Sequence, residues 1–211
     1  MKKFWSVCCL FVFSILLPST ELANAEGESV VVSSIQGSPM VIRAGRAIPA
    51  TVGMACVQDD VLSTNENCGM DVSMNGLAGC RVLPSSRCLI AASDQGLMKI
   101  RVENGNAILN LEKLPQGTGF ELETPTAIAS VRGTQFWGRV DLQKAENPIT
   151  TFAVRRGTVE IFAKSVQKKF TLEEGQALDI AKDSTAAPAI RPALPGELKA
   201  MEQAPSIKTS T

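Results

Sequence analysis

Apolar and polar positions alternate with a period of two along most of this 211-residue chain. No segment sustains the 3.6-residue period of an amphipathic helix. Val30–Val32 and Met40–Ile42 read as short strands around Gln36-Gly37-Ser38-Pro39, turn chemistry suited to a hairpin, and Arg43 to Pro49 reads as loop. From Leu97 onward the rhythm is plainer. Ile100 and Val102 alternate with charge, Glu103-Asn104-Gly105-Asn106 offers a turn, and Ala107, Leu109 and Leu111 alternate back. Phe152 and Val154 lead to Arg155-Arg156-Gly157 and are answered by Val159 and Ile161. Phe170 and Leu172 lead to Glu173-Glu174-Gly175 and are answered by Leu178 and Ile180. The glycine turns are too unevenly spaced for a solenoid repeat. The pattern predicts an all-β domain, antiparallel and hairpin-rich, closing into a sandwich, a roll or a short β-helix-like stack.

One stretch breaks its own rhythm. Thr124-Pro125 opens a run of small and β-branched residues, Ala127 to Val131, that alternates as a half-buried strand does. Arg132-Gly133-Thr134 interrupts it, after which Phe136 and Val140 resume one face while Trp137 and Arg139 take the other. A glycine inside a strand pattern marks a bulge or a close backbone approach. A charge beside it calls for compensation.

The motif T-P-x-A-x-A-S-V-R-G-T-x-F over Thr124–Phe136 resembles the signature of the FecR domain, a periplasmic sensing domain first described in ferric-citrate regulators. The resemblance runs from about residue 54 to residue 180 in the family's order. Asp60-Val-Leu-Ser-Thr64 is similar to its "GD-x-hydrophobic-x-T" segment. Met74-Asn75-Gly76 and Leu83-Pro84-Ser85 are similar to its hairpins, Thr151–Glu160 with Gly157 to its "T-x-V-x-V-x-x-G-x-V" unit, and Leu172–Gln176 with Gly175 to its "L-x-x-G-Q" close. The chain departs at Asp59 and at Asn75-Gly76-Leu77, where the family more often shows Gly and Asp-Gly-Ser. The resemblance singles out Asp60, Thr64, Gly76, Thr124, Pro125, Arg132, Gly133, Thr134, Phe136, Gly157 and Gly175. It implies a sensor fold that, in transmembrane regulators, relays the state of an outer-membrane receptor to a cytoplasmic sigma factor. This chain reads as the outer part alone, so protein recognition carries over and direct sigma-factor control does not. If Arg132 is carried inward on its strand, Asp60 in the other motif is its expected ion-pair partner, because an unpaired buried charge costs several kcal/mol.

Composition narrows the chemistry. Formal charge is zero, aromatic residues make up 5%, and histidine and tyrosine are absent. The commonest general base and transition-metal ligand are therefore missing, and nothing points to nucleic acid. Neither a P-loop nor a dinucleotide fingerprint occurs. The adjacent Asp59 and Asp60 would face opposite ways on a strand and read as a turn or salt-bridge pair. We expect no enzyme, no cofactor, no metal and no catalytic residue. The leading reading is a binding and interaction module whose partner is another envelope protein. The alternatives are an envelope-structural protein binding peptidoglycan or polysaccharide, and a hydrolase using facing carboxylates.

The ends place the chain in a compartment. Met1-Lys2-Lys3, an apolar run to Leu17 and Ala23-Asn24-Ala25 form a signal peptide over residues 1–25, so the mature protein is expected to be periplasmic or secreted and to lack a transmembrane helix. The domain should cover 26–182. Residues 183–211, rich in Pro and Ala, read as a flexible tail whose Gly196–Gln203 stretch has room for one or two helical turns. Four cysteines remain, Cys56, Cys68, Cys80 and Cys88, an even number that in an exported chain predicts two disulfides. Three connectivities are open. Cys80 and Cys88 flank an apparent hairpin turn, which favours Cys80–Cys88 with Cys56–Cys68.

Overall fold

Two β layers share one strand. The computed structural model describes residues 30–91, 97–142 and 147–205, so the signal peptide expected over residues 1–25 lies outside the described residues. In spatial order the first layer is β4 (Ala55–Cys56), β1 (Val30–Gln36), β6 (Gly69–Met74), β7 (Ala78–Val82), the C-terminal half of β9 (Leu97–Leu111), β12 (Gln135–Asp141), β13 (Ile149–Arg156), β16 (Gln176–Ala181) and β17 (Ile190–Pro192). The second layer is β3 (Arg46–Pro49), β2 (Met40–Arg43), β5 (Val61–Ser63), β8 (Arg87–Ile90), the N-terminal half of β9, β10 (Gly119–Glu123), β11 (Ala127–Val131), β14 (Val159–Ala163) and β15 (Lys168–Leu172). Because β9 pairs in both, the strands form one open mixed sheet folded onto itself, with β9–β10 as its parallel pair. The all-β expectation holds.

The inward positions of both layers make one core. Phe120, Ile100 and Leu122 from the second layer and Phe136, Phe152 and Leu109 from the first are fully buried in it. The layers touch where Gly138 of β12 faces Leu122 of β10: a Cβ on Gly138 would lie 2.6 Å from Leu122 Cδ2. Phe136 and Val140 point inward while Trp137 and Arg139 point out, as the alternation predicts.

Several expected hairpins are corners. The turns at Gly157 and Gly175 link β13 to β14 and β15 to β16, strands of opposite layers, and Gln36–Pro39 likewise carries the chain from β1 to β2. Arg132-Gly133-Thr134 is a corner too, so the interrupted strand is two strands, β11 and β12, in different layers. At Gly105 (φ +82°) the chain does not turn back. β9 continues through it and passes from one layer to the other, with a register shift opposite Arg87 and Cys88. A positive-φ glycine redirects the backbone, and which layer receives the next strand is decided by pairing partners far away in sequence. Arg43–Pro49, read as loop, is instead the β2–β3 hairpin, turned at Ala44-Gly45 with φ +48° and +78°.

The C-terminal stretch is also corrected. Ala186–Pro195 contains β17, which pairs with β16 as an edge strand, a position proline tolerates. The expected helical turns form as α1 (Pro195–Ala200) and a 3-10 turn at Met201–Gln203. Through Pro205 this segment lies across the outer face of the first layer, with Met201 fully buried against Ile108, Trp137, Ala153 and Ala177. Among the described residues no helix is long and apolar enough to cross a membrane.

Candidate functional site: the Arg132 corner

Most of the motif residues have work inside the fold. Asp60, 1% exposed, accepts a two-pronged grip from Arg43 (Nε to Oδ1 2.9 Å, Nη2 to Oδ2 2.7 Å) and a third bond from the Val57 N–H at 2.9 Å. Burial acts to raise its carboxyl, but the Arg43 fork and the Val57 N–H outweigh this and hold it below the usual range. The expected Asp60–Arg132 pair is therefore wrong, because both Asp60 oxygens are engaged by the β2 arginine. Nothing in the local sequence separates Arg43 from solvated surface charge. Asp59, next door, takes the turn role at φ +69°, a region glycine enters freely, which accounts for the departure there. Asn75 and Gly76, at φ +49° and +65°, turn the β6–β7 hairpin in the same way.

Thr64 donates to Leu83 O at 2.6 Å and accepts from Ser86 N at 3.0 Å, tying the end of β5 to the β7–β8 corner. Thr124 donates to Ala127 O and accepts from Ala127 N and from the Thr150 hydroxyl, closing the turn that Pro125 enters. Phe136 fills the core.

Gly133, Thr134 and Gly157 meet. A Cβ on Gly133 (φ +115°) would lie 3.1 Å from Lys113 Cα, and one on Gly157 would lie 2.9 Å from Thr134 Cγ2 and 3.1 Å from Gly133 O. Leu111 N donates to Thr134 O at 2.9 Å. Two corners and the loop after β9 thus stack backbone on backbone, which explains the small residues. Gly175 has nothing within 4 Å of its Cβ position, so its conformation alone calls for glycine there.

Arg132 is different. It is exposed, forms no ion pair with a described residue, and lines a cavity of about 520 Å³ with Gly119, Ser130, Val131, Thr158 and Glu160. The outer face of the second layer beside it is a cross-strand charge ladder. Lys99 meets Glu121 at 3.2 Å, Arg101 meets Glu123 at 3.1 Å and Lys164 meets Glu123 at 2.9 Å. Among the described residues no three His, Cys, Asp or Glu side chains gather to hold a metal ion.

The family model described as FecR protein matches residues 60–160, from the buried aspartate to the glutamate lining the cavity. Residues 60–160 are a FecR domain. Two crystal structures of a candidate anti-sigma factor from Parabacteroides distasonis ATCC 8503, at 1.65 and 2.50 Å, share its fold. Each has a TM-score of 0.56 and 17% identity, over 68% of this chain and 64% of theirs. The chain therefore spans less than two thirds of that relative's length. Comparison with curated proteins gives no match. The strand β17 and the segment over the first layer lie beyond the matched FecR residues.

The cysteines of the FecR domain and its N-terminal flank are buried, free thiols in this structure. The expected Cys56–Cys68 bond does not suit the register. Cys56 faces Val30 while Cys68 precedes Gly69, which faces Gln36, so they sit at opposite ends of β1. Six strand residues span roughly 20 Å, against a limit of roughly 7 Å between bridged Cα atoms. Nor do Cys80 and Cys88 flank a hairpin, because β7 and β8 belong to different layers and both point into the shared core. Burial pushes three of these thiols up, Cys80 well above its ordinary value, Cys56 to about 11 and Cys88 to about 12. Alkylation of the reduced, folded protein at pH 8 should leave Cys80 and Cys88 unlabelled until denaturant is added; fast native labelling would contradict this burial.

Proposed function

We propose that this chain is an exported, non-enzymatic sensor module of the FecR type that recognises another envelope protein through the Arg132 corner. One observation carries the reading. Every other signature residue is engaged in a turn, a packed corner or the core, whereas the signature arginine is exposed beside an open cavity and forms no ion pair with a described residue. An exposed guanidinium with five donors suits a carboxylate or carbonyl-rich partner surface. The FecR match and the anti-sigma fold relationship support a regulatory role.

Strand addition at a sheet edge is the weaker mode. The four edge strands are defended in the usual ways: β4 has two residues, β17 carries Pro192, β3 carries Arg46 and Pro49, and β15 exposes Lys168 and Lys169. Within this reading, a dithiol oxidant of the exported compartment takes two electrons and two protons from Cys80 and Cys88 and joins them across the core, and peptide mapping without reductant tests that link.

The test uses Arg132→Glu in the full exported chain. Its unfolding midpoint should stay within about 2 °C of wild type, since exposed substitutions change stability little. Recovery of the wild-type partner from envelope extracts should fall at least about tenfold. Undiminished recovery, or equal binding of both proteins to isolated sacculi in place of a protein, would remove the proposal.

A further inference from the structure

The outer face of the first layer is covered by the chain's own C-terminal segment. Residues 194–205 pass over successive strands of this face, held by side chains from three of them. Arg155 of β13 donates to Leu198 O at 2.9 Å, Gln135 of β12 to Met201 O at 2.7 Å, and Asn110 of β9 to Pro205 O at 3.0 Å. All three acceptors are main-chain carbonyls. The apolar floor, Ile108, Trp137, Ala153 and Ala177, takes one anchor, Met201, and Gly79 lets Pro205 approach so closely that a Cβ there would be 3.1 Å from its Cγ. Within α1 no residue is buried. The surface thus grips main-chain carbonyls and one fully buried unbranched side chain, with Leu198, Ala204 and Pro205 packed beside it, an arrangement suited to a peptide groove.

The groove is wider than its occupant. Trp137, Arg139, Asp141, Ile149 and Thr151 widen it along β12 and β13 as an open cavity of about 480 Å³ beside Leu194, Gly196 and Glu197, and Ile149 is 43% exposed there. Trp137 Nε1 is buried with no hydrogen-bond partner among the described residues, a donor left for an occupant's carbonyl. The segment is latched at its start by Arg191, which grips Glu197 (2.7 Å) and Asp179 (2.6 Å).

We infer that this face is a docking groove closed in cis by residues 194–205. It accepts from a partner protein a short segment with a Met or Leu anchor, three free carbonyls in the spacing of 198, 201 and 205, and a second apolar side chain over Ile149. Such a segment replaces every contact the strap makes and adds the uncovered ones. The inference does not rest on the Arg132 corner, which belongs to the other layer's cavity.

The test uses the full chain with Trp5→Phe, leaving Trp137 the only tryptophan. Adding Met201→Glu should keep the β-sheet circular dichroism while shifting Trp137 emission to the red. A labelled peptide of residues 193–205 should then bind at least about tenfold tighter to this variant than to the Met201 protein, where the tethered strap competes at high effective concentration. Binding should restore the blue emission. A peptide with Glu at the anchor position, or Gln135→Ala with Arg155→Met in the protein, should reverse the gain. Should Met201→Glu fail to fold, Leu198→Pro, which breaks α1 without placing charge on the floor, takes its place. Equal peptide binding to open and closed proteins, strap exchange into a dimer, or loss of fold in both variants would overturn the inference.

Discussion

Replacing Gly105 with alanine should lower the unfolding free energy by about 3–4 kcal/mol, while Gly175→Ala should cost about 1 kcal/mol. Both glycines have φ near +80°, so conformational strain is shared. They differ in what surrounds them. A Cβ at Gly105 would sit 2.4 Å from Ser86 Oγ, 2.5 Å from Ser85 O and 2.6 Å from Ser86 Cα, whereas Gly175 has nothing within 4 Å. Two of the three Gly105 neighbours are backbone and cannot rotate away. The clash falls where β9 passes between layers and where Asn106 N donates to Ser86 Oγ at 2.8 Å. Denaturant unfolding of the two variants measures the difference directly. Equal losses would mean that the β7–β8 corner does not pack against this glycine and that the shared-strand architecture is misplaced.

Removing the Asp60 carboxylate should be the next most costly change. Asp60→Ala should destabilise by about 2–3 kcal/mol, because it strands the Val57 N–H and unpairs Arg43 beside a buried position. Arg43 is partly exposed, so water recovers some of its loss and the figure stays at the low end for a buried pair. A double-mutant cycle discriminates the partners. Asp60→Asn with Arg43→Met should lose less than the sum of its singles, while Asp60→Asn with Arg132→Met should be additive. The pH dependence follows from the depressed carboxyl. Its contribution is present above the unfolded value of about 4 and is lost as the pH falls through the lower folded value, so Asp60→Asn should flatten the acid side of the stability profile. Non-additivity with Arg132 would restore the pairing this structure replaces.

Strands and their inward faces were legible because alternation survives whatever the strand pairs with, as Phe136 and Val140 against Trp137 and Arg139 show. The glycines were legible as special positions but not as corners. Positive φ at Gly105, Gly157 or Gly175 states that the backbone bends, and long-range pairing states where it goes. The motif residues were identified by resemblance, yet Asp60 and an inward Arg132 were expected to pair with each other: the aspartate is held by an arginine from a hairpin read as loop, and the signature arginine faces out. The strap was hidden by its prolines. Its one signal was the three-residue spacing of Leu198 and Met201, apolar positions on a short helical stretch otherwise rich in polar residues.

The central claim is that the signature arginine faces a partner rather than the core. A photoreactive amino acid placed at position 132, at Glu160 across the same cavity, and at Lys169 on the β15 edge tests it most directly in cells exporting the full chain. The account predicts one shared crosslinked protein from positions 132 and 160 and none from 169. Crosslinking from 169 alone, or the absence of any product at 132 while the protein remains folded and exported, would contradict it.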